Sequence, residues 1–279
     1  MRRALLAAGL VAASLAPALS PSEFYVNVAT QTLIAAIFAL SLDLLVGYAG
    51  LVSLGHAAYL GVGAYLTVWL ATRAGLGALP AAAAAVALTT AMAALFGLFA
   101  LRATGLGFLM ITLALGQILW GLAYRWVAVT GGDNGLSGLA RPQPFGLDLT
   151  SPRAFYLAAL AVFALAAALL AVFVVAGFWG GVAGVLYAFY NQFVSPHVLA
   201  LTSSAEALLM VIAGGAGTLV GPIVGAGVVL LLKNVVSAYV TRWVMLLGVV
   251  FVAIVVLVPE GVVPGLARLR ARRRPAVAR

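Results

Sequence analysis

Residues 202–227, TSSAEALLMVIAGGAGTLVGPIVGAG, decide what kind of protein this is. The stretch is apolar enough to lie in a bilayer, yet it carries a carboxylate, Glu206. Its middle is broken by Gly214, Gly215, Gly217, Gly221 and Pro222. An anchoring helix avoids both features. An acid at the centre of a membrane helix costs about 2.5–3.5 kcal/mol on insertion scales unless a partner or a wet cavity meets it. Broken backbone at membrane depth persists only where protein covers it or where it lines such a cavity. The stretch therefore reads as part of a pathway.

The rest of the chain supports a membrane setting. Of 279 residues, 65% are hydrophobic and 8% charged, and the mean hydropathy is +1.20. A soluble domain has no use for that much apolar surface, so the fold class is an all-α integral membrane protein, a polytopic bundle with glycine-broken segments. Cysteine is absent, which excludes disulfide and thiol chemistry. His56 and His197 are the two histidines, too few and too far apart to suggest a metal site. The net charge is +9, but six of the fifteen basic residues lie in the tail 267–279. Such a tail marks a cytoplasmic end beside lipid rather than a nucleic-acid surface, and no nucleic-acid partner is expected.

A spanning helix needs about 20 apolar residues. Up to ten segments fit, near 4–20, 24–47, 52–72, 79–101, 106–127, 153–175, 178–194, 199–214, 218–236 and 241–258. Residues 1–20 read as a first helix, although Arg2, Arg3 and Ala16-Pro17-Ala18 also resemble a secretory signal peptide. The positive-inside rule places the amino terminus and the basic tail in the cytoplasm. The polar connection 128–152, rich in Gly, Pro, Asp and Asn, then faces outside as a structured loop. No part is large enough to fold as a separate soluble domain, so residues 1–279 are read as one transmembrane domain. A weak internal echo is visible: Gly47-Tyr48-Ala49-Gly50 followed by Gly55 resembles Gly214-Gly215-Ala216-Gly217 followed by Gly221. Duplicated broken elements often flank a transport pathway, and chance in a Gly/Ala-rich chain is the rival reading.

Four polar residues are candidates for the pathway: Asp43, His56, Gln117 and Glu206. Each also has a structural reading. Asp43 can bond the loose backbone around Gly47 and Gly50, and Glu206 can favour a helix amino terminus capped by Ser203 or Ser204. His56 can be a packed, hydrogen-bonded ring, and Gln117 can bond across helices. No nucleophile motif, phosphate loop or zinc helix is present. The chain is not read as an enzyme, and it is expected to hold no cofactor of its own.

Several pieces together resemble the permease subunits of branched-chain amino-acid ABC importers, of the LivM-like type. They are LDLLVGYAGLVSLGHAAYLGVGAYL (42–66), GFLMITLALGQILWGLAYRW (107–126), TGGDNGLSGL (130–139), GVAGVLYAFYNQFVSP (181–196), SSAEALLMVIAGGAGTLVGPIVGA (203–226) and VPEGVVPGL (258–266). They cover most of the chain in the expected order. The resemblance implies a multi-pass plasma (inner) membrane subunit working by alternating access. It implies a second, homologous permease as partner, and two cytoplasmic ATPase subunits that use ATP and Mg. An extracytoplasmic solute-binding protein would deliver the substrate, with Thr130, Gly131, Gly132, Asp133 and Asn134 as its contact loop. Related systems carry urea or other amides.

One departure stands out. Members of the family carry a charged cytoplasmic segment after the helix that follows the outer loop, and it docks the ATPase. Here no charged residue occurs over 154–205, and Gly177, Gly180 and Gly181 are placed to make a tight turn between two apolar segments. The alternatives are therefore an ATPase-independent channel or secondary carrier for small amides or amino acids, and a non-transporting deletion variant.

Overall fold

The computed structural model describes residues 22–143, 149–168, 173–218 and 220–236, with Pro17, Gly261, Val263 and Gly265. The expected segments 4–20 and 241–258 and the tail 267–279 lie outside the described residues, apart from Pro17.

Eight helices carry the described fold: α1 Glu23–Asp43, α2 Ala57–Thr72, α3 Ala78–Ala100, α4 Leu106–Arg125, α5 Pro152–Ala168, α6 Phe173–Asn191, α7 Leu201–Gly214 and α8 Gly221–Leu231. Among the described residues, three stretches are long and apolar enough to cross a membrane: Glu23–Tyr48, Ala78–Ala100 and Leu106–Arg125. In hydrocarbon each backbone polar group must be satisfied within the protein, and an apolar sequence meets that demand as helix. α1 is the central post. From Ala36 to Leu45 each residue is buried, because α5, α6, α7 and α8 all pack on it. α3 and α4 lie at the edge. They leave Leu88, Leu95, Leu98, Leu106, Met110 and Ile118 exposed, an apolar face suited to lipid.

α6 fills the space between α1, α2 and α3. Gly177, Gly180, Gly181 and Gly184 run along it and let its neighbours close in. A Cβ on Gly177 would strike that of Ala93, one on Gly181 would press on Thr89, and one on Gly184 would strike the Leu60 carbonyl. This corrects the expected turn at Gly177, Gly180 and Gly181 and the segment limits 153–175 and 178–194. The glycines sit within the continuous described helix Phe173–Asn191. A turn there would strand backbone groups in an apolar setting, whereas a helix bonds them and uses the small residues for close packing.

Three further starts differ from expectation. α2 begins at Ala57 rather than 52, after the irregular run 50–56. The segment expected at 199–214 opens with a single 3-10 turn, Pro196–Leu199, and becomes α-helical at Leu201 after the extended Ala200. α8 begins at Gly221 rather than 218, with Pro222 in its first turn, where a missing N–H is harmless. At one end of the bundle a two-residue ladder pairs Leu136 with Val194 and Ser137 with Phe193, tying the long polar connection to the end of α6.

Close approach along α6 yields a test. Gly184→Leu should destabilise the protein by about 1–3 kcal/mol or more, because the clash is with backbone. Gly121→Leu on α4, where an added Cβ meets nothing within 4 Å, should leave stability near wild type. Thermal challenge followed by size-exclusion chromatography of the solubilised protein reads both. Equal melting of the two variants would refute this packing.

Candidate functional site

The two echoing glycine motifs meet in space. α1 ends in a π-helical turn, Leu44–Tyr48, which begins directly after Asp43. The buried Asp43 Oδ1 accepts a hydrogen bond from the Gly217 N–H, 2.8 Å away, at the break between α7 and α8. Gly47 must be glycine for this to happen, since a Cβ there would strike the Gly217 backbone and crowd Asp43 Oδ1. The last glycine of each motif takes the left-handed conformation, with φ of +65° at Gly50 and +76° at Gly217. Gly214 packs on the Gly221 carbonyl, and Gly261 comes back to lie against Gly215. Asp43 thus bonds backbone, but that of the partner break rather than of its own. Gly55 belongs to a different contact, where a Cβ would strike the Thr112 carbonyl of α4.

His56 is fully buried at the start of α2. Its Nε2 lies 2.7 Å from Ser41 Oγ, and that hydroxyl donates to the Phe38 carbonyl at 2.6 Å. With the hydroxyl proton so engaged, Nε2 carries the hydrogen and Ser41 accepts it. The ring stacks on Phe38 at 5.4 Å and meets Tyr59 edge-on at 5.2 Å. Nδ1 is buried with no hydrogen-bond partner among the described residues. Nearby, Ser204 Oγ accepts the Ala57 N–H at 2.9 Å. Ser204 therefore satisfies the first turn of α2 instead of capping its own helix, and Ser203 donates to the His197 carbonyl at 2.9 Å.

A cavity of about 430 Å³ opens between α1, α6, α7 and α8. Its lining is mixed, with polar Gln31, Tyr187, Tyr190, Glu206, Lys233 and Asn234 and apolar Ile34, Phe38, Leu60, Met210 and Leu230. Lys233 Nζ donates to both oxygens of Glu206 at 3.1 Å. The two side chains are 39% and 29% exposed respectively, so the pair is reachable from the cavity. Beside it, Asn234 Nδ2 reaches the Leu230 carbonyl at 3.0 Å and Gln31 Oε1 at 3.4 Å, and Gln31 Nε2 donates to Tyr190 Oη at 3.1 Å. Lys233 and Asn234 sit in a second π-helical turn, Leu232–Val236, a local geometry that recurs at functional sites. Gln31 lies about 18 Å along α1 from Asp43 at 1.5 Å per residue, whereas Phe38 and Met210, which also line the cavity, bring it within about 8 Å of the break along the helices.

Of the four nominated residues, then, Glu206 lines the cavity, and His56 reaches it only through the ring of Phe38. Asp43 stands at the break, and Gln117 is exposed on α4, away from all three. Sequence reading missed Lys233, Asn234 and Gln31. A lysine inside an apolar segment, LLLKNVV, was a signal equal in strength to Glu206. In the polar loop, Thr130 Oγ1 bonds the Trp126 carbonyl at 2.9 Å, and Gly131 and Gly132 take positive φ. Of the five expected contact residues, Asp133 and Asn134 are exposed, Thr130 and Gly131 half-buried, and Gly132 buried.

The family model "Branched-chain amino acid transport system / permease component" matches residues 24–172 and 168–258. The chain belongs to this family. Curated relatives include the high-affinity branched-chain amino acid transport system permease protein LivM of Salmonella typhimurium (strain LT2) and that of Escherichia coli (strain K12). Each is 25% identical over 296 aligned residues, covering 86% of this chain and 70% of the relative. No solved structure gives a significant match. This permease is a polytopic helical membrane protein of a branched-chain amino acid transport family, and its relatives are transport components. The two matched pieces overlap at 168–172.

A structural Asp43 makes a distinct prediction. Asp43→Asn keeps an oxygen that can accept the Gly217 N–H and should melt close to wild type. Asp43→Leu strands that N–H and should lose about 1–3 kcal/mol. Thermal midpoints measured in detergent decide; a leucine variant as stable as wild type would sink the assignment.

Proposed function

We propose that this permease is the membrane subunit of an ATP-driven importer for branched-chain amino acids, located in the plasma (inner) membrane. The observation that carries the reading is the family match over 24–258, joined to a cavity lined by both apolar and polar side chains. Apolar lining suits Leu, Ile and Val side chains, and polar groups suit the amino-acid head. Partner subunits complete the system: a second homologous permease, two cytoplasmic ATPases hydrolysing ATP with Mg, and an external solute-binding protein that meets the loop at Asp133 and Asn134. This chain holds no ATPase site of its own. Alternating access would rock the α7–α8 hairpin about its tether at Asp43, opening the cavity to one side and then the other. His56 and Gln117 are assigned supporting roles, His56 in holding Phe38 at the cavity wall and Gln117 in bonding a neighbouring helix.

A second reading is favoured by one observation. The chain lacks charge over 154–205, and the family match divides at 168–172, where a docking segment would lie. An ATPase-independent carrier or channel needs no such segment. In proteoliposomes, the reconstituted complex of both permeases, ATPases and binding protein should take up leucine only with ATP, and this chain alone should be inert. Leucine flux through this chain alone, without ATP, would overturn the importer reading.

A further inference from the structure

We propose that the side-chain amides of Gln31 and Asn234 form the subsite for the head of a free α-amino acid. The Asn234 oxygen accepts from the ligand's ammonium, and a Gln31 N–H donates to its carboxylate. The inference rests on the transport reading above and names the groups in that cavity which select the substrate.

Hydrogen-bond accounting carries the argument. Asn234 Nδ2 donates to the Leu230 carbonyl at 3.0 Å and to Gln31 Oε1 at 3.4 Å. A flipped Asn234 would set its oxygen against the Leu230 carbonyl, so this amide is held one way round. It therefore presents N–H to Gln31, which must answer with its own oxygen. Gln31 Nε2 is left to donate to Tyr190 Oη at 3.1 Å, and Tyr190 passes its hydrogen to the Asn27 carbonyl at 3.5 Å. A backbone carbonyl anchors each end of the chain, and every member has a fixed sense. A side-chain amide offers two N–H donors and one carbonyl oxygen. Asn234 uses both donors and Gln31 uses one. Among the described residues, Asn234 Oδ1 and the second N–H of Gln31 are left without a partner. Both side chains line the cavity. An amino-acid head carries one donor group and one acceptor group, and two adjacent amides with one spare acceptor and one spare donor complement it.

Helix register extends the match to the ligand's side chain. Ile34 lies three residues from Gln31 on α1, and Leu230 lies four residues from Asn234. Those spacings are about 4.5 and 6 Å toward the break at 1.5 Å per residue, one turn away on the same helix faces. Both residues are buried and line the same cavity. A head held at the amides thus lays a branched apolar side chain on Ile34 and Leu230. Glu206 and Lys233 remain paired beside it, and the pair adds no net charge to a lining that receives a ligand of none.

The test uses the full chain in lipid nanodiscs, with saturation-transfer NMR of L-leucine and L-leucinamide at about pH 6, where both carry an ammonium. Leucinamide keeps the ammonium and the side chain but has a neutral amide in place of the carboxylate. Wild type should prefer leucine about tenfold, since a carboxylate makes the stronger bond with the Gln31 N–H. Gln31→Glu keeps an oxygen for Asn234, removes the spare donor and sets a like charge against the ligand's carboxylate. It should weaken leucine about tenfold or more and leave leucinamide within about twofold, which abolishes the preference. Asn234→Leu should weaken both ligands about tenfold, because both carry the ammonium. The proposal is overturned by a wild type that binds no leucine or shows no preference, or by an Asn234→Leu protein that binds leucine as wild type does. It is overturned equally by a Gln31→Glu protein that weakens both ligands alike, as loss of a merely structural network would, or that weakens neither. Should Gln31→Glu fail to fold, Gln31→Met takes its place: the preference should shrink to within about twofold, and a preference kept at about tenfold overturns the proposal. ATP-driven leucine uptake by the full complex separates this from the transport reading. Uptake with unchanged KM in Gln31→Glu sinks the amide subsite and leaves the importer. Loss of the preference in Gln31→Glu, without any ATP-driven uptake by wild type, sinks the importer and leaves the subsite.

Discussion

The buried Asp43 carboxylate accepts the Gly217 N–H at 2.8 Å, where the chain breaks between α7 and α8. The contact joins the two breaks of the chain, the π-helical end of α1 and the turn between α7 and α8. It forms only because Gly47 has no side chain to hold the backbones apart. Gly261 then closes on Gly215 from the far end of the sequence. The position of α8, and with it that of Lys233, follows from this tether.

With the hairpin α7–α8 held against α1, the carboxylate on α7 and the ammonium beyond α8 pair directly at 3.1 Å on the lining of a cavity to which α6 also contributes. Two kinds of polar contact result. Asp43 and His56 are buried and hydrogen-bonded to the Gly217 N–H and to Ser41 respectively. Glu206 and Lys233 are bonded to each other and partly exposed to a cavity. Glycine packing along α6 brings it close to α2 and α3, and His56 stacks on Phe38, which lines the cavity.

Much of this was legible in the chain. The apolar segments near 24–47, 79–101 and 106–127 correspond closely to helical stretches, because length and hydropathy alone decide a membrane span. Glu206 was marked by its setting, and the echo between 47–50 and 214–217 foreshadowed two breaks of like geometry. Less legible were the junctions. Gly177, Gly180 and Gly181 read as a turn because glycine serves both turns and close packing, and only the neighbours Ala93, Tyr59 and Thr89 distinguish the two uses. Ser204 read as a cap for its own helix, since nothing local reveals that Ala57 lies within reach of its hydroxyl.

Composition and pattern by themselves determined that the protein is an apolar helical bundle and that cysteine chemistry plays no part. They determined the family through several motifs kept in order. The pairing of groups far apart in the chain was decided only in three dimensions: Asp43 with Gly217, Ala57 with Ser204, Gln31 with Asn234, and Glu206 with Lys233. The physical reason is that hydropathy is a property of each segment, whereas satisfaction of a buried polar group depends on which other segment arrives beside it. Lys233 was visible as a charge in an apolar run, but its role as the counter-charge of Glu206 exists only in the packed hairpin.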